Sequence, residues 1–269
     1  MAVNNKITSD TSPFEEAAAA VSKALNGSFT QSDNADQAGP AVSLTPKSFF
    51  ISWNGVLVLL FDGFPPALEQ FKLQLNNQCS VSGYKTENFG SQWAKITLAF
   101  VNDSSDVKPL SLDEFRKLKE IFVKSSAWFA REDCNIPVIN VSLVEYEWRS
   151  LEQVKQKYDF ELTSSAAAGG GGGLGLGVSA EQQAKSNSVF SEWDNEEAYL
   201  PNVNAVGAPY RSPLETNGLT CVSFLDVRSV PVLWQTICML KDDIEAEFPG
   251  RYEWMRDDSL HCTIRAMDK

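Results

Sequence analysis

The sequence contains one histidine, His261, among its 269 residues. A site that needs two histidines, such as the HExxH zinc motif, is therefore excluded. The five cysteines are widely spaced and form no CxxC pair, which favours reduced thiols over a disulfide framework or a zinc centre. GxSxG and Walker A sequences are absent as well, and we expect neither a metal nor a cofactor.

Long apolar runs and an excess of basic residues are also missing. The stretch GVLVLLF has the length of a strand rather than of a membrane span, and the first residues lack the pattern of a secretory signal. We therefore expect a cytoplasmic or nuclear protein with no membrane contact. The net charge of −12 and the pI of about 4.6 disfavour a broad nucleic-acid surface but allow a local basic cleft.

The residues that are present predict a folded chain with a polar start. An apolar fraction of 43% is typical of globular proteins. Residues 1–47 are predicted to be a mostly disordered arm with one short helix, because Ser12 and Glu15 form a capping-box pattern. Residues 48–161 and 217–269 alternate between apolar strands and amphipathic helices. We interpret them as the first and second lobes of one bilobal domain.

Between the lobes, residues 162–216 are predicted to be a low-complexity, glycine-rich and irregular insertion. Gly170, Gly172 and Gly175 satisfy the spacing of a GxGxxG dinucleotide turn. A run of five glycines fits almost any glycine motif, however, so a flexible linker is the better interpretation. The aromatic stretch that follows has no clear period, and we expect little regular structure there.

The two lobes repeat one pattern. An Asn-Gly pair, first Asn54-Gly55 and later Asn217-Gly218, precedes an apolar strand, a helix and a second strand at nearly equal spacing. Internal duplication is the better explanation of this agreement. Two such units commonly pack as pseudo-symmetric lobes, each an antiparallel sheet with helices on one face. The sequence therefore predicts an α+β fold.

The second strand of each unit carries polar side chains on one face, because side chains alternate along a strand. The residues predicted to share these faces are Trp93, Lys95 and Thr97 in the first lobe and His261, Thr263 and Arg265 in the second. If a twofold axis relates the lobes, hydroxyls, cations and one imidazole meet across a cleft. Such a set suits a phosphate group.

This arrangement resembles the 2H phosphoesterase superfamily, which includes 2′-5′ RNA ligase-like proteins and cyclic phosphodiesterases. In that family each of two lobes contributes a His-x-Thr/Ser motif to a central cleft, the histidines act as general acid and base, and the hydroxyls hold the phosphate. His261-Cys262-Thr263 matches the motif, whereas Lys95-Ile96-Thr97 has lysine in place of histidine. The resemblance covers roughly residues 48–147 and 217–267.

The resemblance implies that His261 is the catalytic acid or base and that Thr97 and Thr263 bind the phosphate. Lys95 takes the place of the second catalytic histidine, and it can donate a proton only if burial or nearby Arg265 lowers its pKa. Arg265 is expected to bind phosphate oxygens bidentately. Trp93, which precedes Lys95 on the same face, is expected to stack a base.

Two functions stay open from the sequence. The first is a phosphodiesterase-like protein, a cyclic phosphodiesterase or RNA-end phosphoesterase, that acts on a nucleotide or a short RNA end in the cleft. The second is a catalytically inactive relative that binds a phosphorylated ligand or a protein partner. Under a purely structural interpretation, His261 stabilises its strand, and Lys95 and Arg265 are ordinary surface charges.

Overall fold

Antiparallel sheets and helices form a mixed α+β architecture, as the sequence predicts. The computed structural model describes residues 12–29, 42–103, 107–130, 133–162 and 177–267. Six helices occur within these ranges, at α1 (Pro13–Phe29), α2 (Pro66–Val81), α3 (Leu112–Ser126), α4 (Ala180–Ser191), α5 (Glu196–Val203) and α6 (Pro231–Glu247). The strands are β1 (Ser43–Leu44), β2 (Pro46–Ile51), β3 (Leu57–Phe61), β4 (Lys95–Val101), β5 (Ile136–Pro137), β6 (Asn140–Tyr146), β7 (Val154–Glu161), β8 (Gly218–Phe224), β9 (Tyr252–Trp254) and β10 (His261–Ala266).

One large antiparallel sheet organises the molecule. Its strands run in the order β2-β3-β4-β10-β8-β6-β7, with β9 added beside β4, and β1 and β5 pair separately. The last strand in the described sequence, β10, thus lies between β4 and β8. This position brings the two polar strands predicted from the sequence next to each other.

Strands β2 and β3 form a hairpin around the Asn54-Gly55 pair, a pair that suits a tight turn. Asn54 and Gly55 both have positive φ, at 60° and 69°, a conformation that Asn and Gly tolerate best. There is no room for a larger side chain at Gly55, because a Cβ atom there would lie 2.5 Å from Cγ2 of Val101. The turn therefore needs glycine both for its backbone and for its packing.

Helix α3 shows how the pattern of the sequence becomes a core face. Ser111 and Glu114 form a reciprocal capping box at its start, which satisfies backbone donors that the helix leaves unpaired. Phe115, Leu118 and Phe122 lie on one side of the helix and are fully buried. The amphipathic period of the helix therefore accounts for its buried face, and the capping box accounts for its start.

The insertion is more regular than the sequence indicated. Helices α4 and α5 occupy part of residues 162–216, so the expectation of little regular structure is wrong there. Trp193 is fully buried with its ring centroid 5.0 Å from that of Phe50, and the Tyr199 hydroxyl donates to the carbonyl of Ile51. Helical periodicity is weak in this stretch because Asn195 starts a second short helix and Pro201 lies within it. The glycine run with its GxGxxG match lies outside the described residues.

The predicted helix of the N-terminal arm is present as α1. Ser12 and Glu15 make the reciprocal bonds of a capping box, and Ala17, Val21 and Ala24 are fully buried. This helix packs against α2 and belongs to the core. The remainder of the arm up to residue 41 lies outside the described residues. None of the helices in the described part of the chain combines the length and apolar character needed to cross a membrane.

Candidate functional site

The pairing of β4 with β10 brings the two sequence motifs together. Cys262 lies opposite Ile96 in an antiparallel register. Continuing that register places His261 beside Thr97 and Thr263 beside Lys95. Because side chains alternate, these four side chains share one face of the sheet, while buried Ile96 and Cys262 point to the other face.

His261 has a defined tautomer. Its Nδ1 atom lies 2.7 Å from the carbonyl oxygen of Ser259, and because a carbonyl only accepts, Nδ1 carries the hydrogen. The neutral ring then has an acceptor lone pair on Nε2. Burial, with a smaller contribution from the charge of Lys95, lowers the pKa of His261 to about 4. At neutral pH the imidazole is therefore an uncharged base.

The ammonium of Lys95 is held by an aromatic ring and a backbone carbonyl. Its Nζ atom lies 3.9 Å from the ring centroid of Trp93 and donates to the carbonyl of Gly90. Burial lowers the pKa of Lys95 to about 8, and the nearby charge of Lys72 acts in the same direction. Lys95 is therefore still mostly protonated at neutral pH but is a stronger acid than an exposed lysine.

Thr97 is already engaged by a residue of the insertion. The phenol of Tyr210 hydrogen-bonds the Thr97 side chain, and its ring stacks on Phe100 with centroids 4.8 Å apart. The guanidinium of Arg149 lies 5.1 Å from the Tyr210 ring. Sequence reasoning missed Tyr210 and Arg149, because only the folded chain brings them to β4.

Arg265 does not join this face, and the prediction that it shares a face with His261 is wrong. The pairing of β10 with β8 shifts after Thr263, so that Thr263 lies opposite Val222 but Arg265 lies opposite Cys221. This bulge interrupts the alternation of side chains between the two faces of the sheet, so that Arg265 points to the face opposite His261. The Arg265 side chain is only 3% exposed and donates to the side chain of Asn76 and to backbone carbonyls, including that of Lys85.

Trp93 lies next to Lys95 as predicted, but it is not exposed in the way that the predicted base stacking requires. The side chain is only 4% exposed, with Lys95 over its ring and Phe50 packed edge-on at 6.4 Å. It therefore presents no open surface on which a base can stack. Its buried indole nitrogen Nε1 has no hydrogen-bond partner among the described residues.

A cavity of about 250 Å³ lies beside Lys95. Its lining includes Trp53, Phe89, Trp93, Arg149 and Tyr210. The rings of Trp53 and Phe89 stack with centroids 6.0 Å apart and remain about half exposed. Two cationic side chains and several aromatic rings thus border one space, despite the acidic net charge of the whole chain.

The described residues contain no group of three or more His, Cys, Asp and Glu side chains placed to hold a metal ion. The chemical groups on the polar face are therefore an imidazole, an ammonium and two hydroxyls. Comparisons with protein-family models, with curated proteins and with solved structures found no match. The function must therefore be inferred from these groups and their arrangement.

Proposed function

We propose that this protein is a phosphodiesterase of the 2H type that opens a cyclic phosphate on a nucleotide or RNA end. The observation that carries the proposal is the pairing of Cys262 with Ile96 between β10 and β4. An antiparallel pair has a local twofold axis, and here that axis exchanges His261 with Lys95 and Thr263 with Thr97. The proposed pseudo-symmetric lobes are β2, β3, β4 and β9 on one side and β10, β8, β6 and β7 on the other. They differ from the lobes predicted from the sequence, because β6 and β7 of residues 48–161 lie beside β8, and β9 of residues 217–269 pairs with β4.

The proposed reaction assigns different proton-transfer roles to the two strands. Neutral His261 accepts a proton from water through Nε2, and the water oxygen forms a bond to phosphorus. The bond from phosphorus to one ribose oxygen breaks, and Lys95 donates a proton to that leaving oxygen. Two titratable groups whose pKa values are held at about 4 and about 8 suit a base and an acid at neutral pH.

A bound phosphodiester strengthens His261 as a base, while it keeps Lys95 protonated and makes it a weaker acid than in the free protein. Its negative charge favours the protonated forms of His261 and Lys95 and so raises the pKa of each. That shift makes His261 a stronger base than it is in the free protein. The hydroxyls of Thr97 and Thr263 lie on the same face, where they orient the phosphate oxygens.

The proposed substrate is small. A cavity of about 250 Å³ beside Lys95 is below the usual range for drug-sized ligands, so it suits one nucleotide unit. The net charge of −12 disfavours tracking of a long RNA backbone. A mononucleotide or a short RNA end therefore fits better than a long polymer.

A second candidate, an inactive relative that binds a phosphorylated ligand, is favoured by one observation. Thr97 is hydrogen-bonded to Tyr210, so its hydroxyl must exchange partners before it can hold a phosphate. Tyr210→Phe removes this competitor and keeps the ring. Under this candidate the variant binds inorganic phosphate roughly 2- to 10-fold more tightly, the range expected for one hydrogen bond, while neither protein shows turnover.

The deciding experiment measures hydrolysis of 2′,3′-cyclic nucleotides by the natural protein, His261→Ala and Lys95→Ala. The proposal expects turnover in the natural protein and a loss of at least about 100-fold in each variant, the usual contribution of a general acid or base. Arg265→Lys serves as the control, because Arg265 lies on the other face. Absence of turnover in the folded natural protein would favour the binding candidate.

A further inference from the structure

The cavity beside Lys95 has an exposed aromatic pair at its wall. Trp53 is 49% exposed and Phe89 is 53% exposed, and both line the cavity. The orientation of Trp53 is fixed, because its indole nitrogen donates to Glu192 at 3.0 Å. Exposed aromatic rings held in place beside a cavity are suited to stacking on a flat ring.

One residue of the same cavity carries a buried donor without a partner. Trp93 lines the cavity, and its Nε1 has no hydrogen-bond partner in the described part of the chain. A buried N–H group that is left unpaired destabilises the fold, because it has given up its hydrogen bonds to water without gaining another. A ligand that offers an acceptor atom removes this cost, so the unpaired group indicates the chemistry of the occupant.

Lys95 connects this cavity to the proposed phosphate site. It lines the cavity, and its ammonium lies over Trp93, while its strand position places it beside Thr263. A ligand that offers a flat ring with acceptor atoms at one end and an anion at the other matches both regions. A nucleotide has this combination of groups.

We propose that this cavity binds a single nucleobase, which stacks on the Trp53–Phe89 pair and accepts a hydrogen bond from Nε1 of Trp93. The inference rests on the proposed function for the position of the phosphate at Lys95. It assigns base stacking to Trp53 and Phe89, and it makes Trp93 a hydrogen-bond donor. The cavity volume of about 250 Å³ limits the site to one base.

The test measures binding of 2′,3′-cyclic AMP, adenosine and inorganic phosphate by isothermal titration calorimetry. Phe89→Ala should weaken both adenosine compounds roughly 5- to 150-fold, the range found for loss of a stacking ring, and should leave phosphate affinity unchanged. Trp93→Phe keeps the ring under Lys95 but removes the N–H group. It should weaken the adenosine compounds roughly 2- to 12-fold.

Tyr158→Ala is the matched control, because Tyr158 is 54% exposed and lies on β7. It should leave all three affinities unchanged. Unchanged adenosine binding in Phe89→Ala would overturn the base site even if cyclic phosphate is hydrolysed. Adenosine binding that depends on Phe89 in a protein without turnover would support the base site and overturn the proposed reaction. Failure of the natural protein to bind either adenosine compound would overturn both.

Discussion

The ammonium of Lys95 lies 3.9 Å from the centroid of the Trp93 ring, two positions earlier in the chain. This contact joins the polar face of the sheet to the aromatic cavity. A cation over an aromatic ring is attracted by about 0.5 to 2 kcal/mol, depending on its exposure to water. The ring therefore helps to keep a charge on Lys95 in a place where burial opposes it.

The dependence of kcat/KM on pH should be bell-shaped, with limbs near pH 4 and pH 8. The proposed reaction needs His261 without its proton, and the pKa of that imidazole is lowered to about 4. It also needs Lys95 with its proton, and that pKa is lowered to about 8. For kcat/KM, the limbs report the free enzyme. Lys95→His should move the alkaline limb below pH 7, since an ordinary histidine has a pKa of about 6.5. A limb that stays near pH 8 in this variant belongs to another group.

The stability of the fold should decrease as the pH falls from about 6.5 to about 4, in part because of His261. The unfolded chain takes up a proton on this histidine at its ordinary pKa of 6.5, whereas the folded chain does so only at about 4. Protons therefore favour the unfolded state within this window. The contribution of His261 to the loss of unfolding free energy reaches at most about 3 kcal/mol.

Urea unfolding at pH 7 and pH 4.5 measures this effect. His261→Gln, which stays neutral, is the control for the carboxylates that titrate over the same range. It should lose less stability between the two pH values than the natural protein. Equal losses in the two proteins would show that the imidazole pKa is not lowered by folding.

Substitution of Arg265 should lower the stability of the fold but not the activity, whereas substitution of Thr263 should lower the activity but not the stability. Arg265→Met removes a buried guanidinium that donates to the side chain of Asn76 and to the backbone carbonyl of Lys85, so the free energy of unfolding should fall by about 3 kcal/mol. Its kcat/KM should be unchanged once corrected for the folded fraction. Thr263→Val keeps the shape of the side chain on the polar face, and it should lower kcat/KM at least about tenfold with little change in stability. A lower kcat/KM in the folded Arg265→Met variant would show that Arg265 takes part in the site.

Two glycines with the same φ angle allow the cost of backbone strain to be measured separately from the cost of a steric clash. Gly55 and Gly250 both have φ of +69°, but a Cβ atom on Gly250 meets nothing within 4 Å. Gly250→Ala should therefore lower the free energy of unfolding by about 1 kcal/mol, from the left-handed backbone alone. Gly55→Ala also forces a methyl group against Val101, and it should cost about 1 to 3 kcal/mol more. Thermal unfolding of the two variants measures the difference, and equal losses would mean that Val101 moves aside freely.

Features encoded by neighbouring residues are predictable from this sequence. The capping box of Ser12 and Glu15 depends on a few consecutive residues, and it forms as expected. The alternation that places Lys95 with Thr97 and His261 with Thr263 is also local. The sequence therefore predicts four of the residues that the sheet brings to one face.

Features that depend on a distant partner were not predictable. The bulge after Thr263 arises from the pairing of β10 with β8, and it turns Arg265 to the opposite face. Phe50 and Lys95 enclose Trp93 only after folding, and Tyr210 reaches Thr97 from a distant part of the chain. No pattern within a single strand contains this information.

The position of β10 also affects how the protein folds. The strand is the last of the sheet in the described sequence, yet it lies between β4 and β8. Until it arrives, both neighbours have open backbone edges that can pair with other chains. The contacts that complete the sheet span a large part of the sequence, which slows folding. A chain in which β10 is not yet paired would therefore be prone to aggregation, and the pairing of β10 with β4 assembles the face that carries His261.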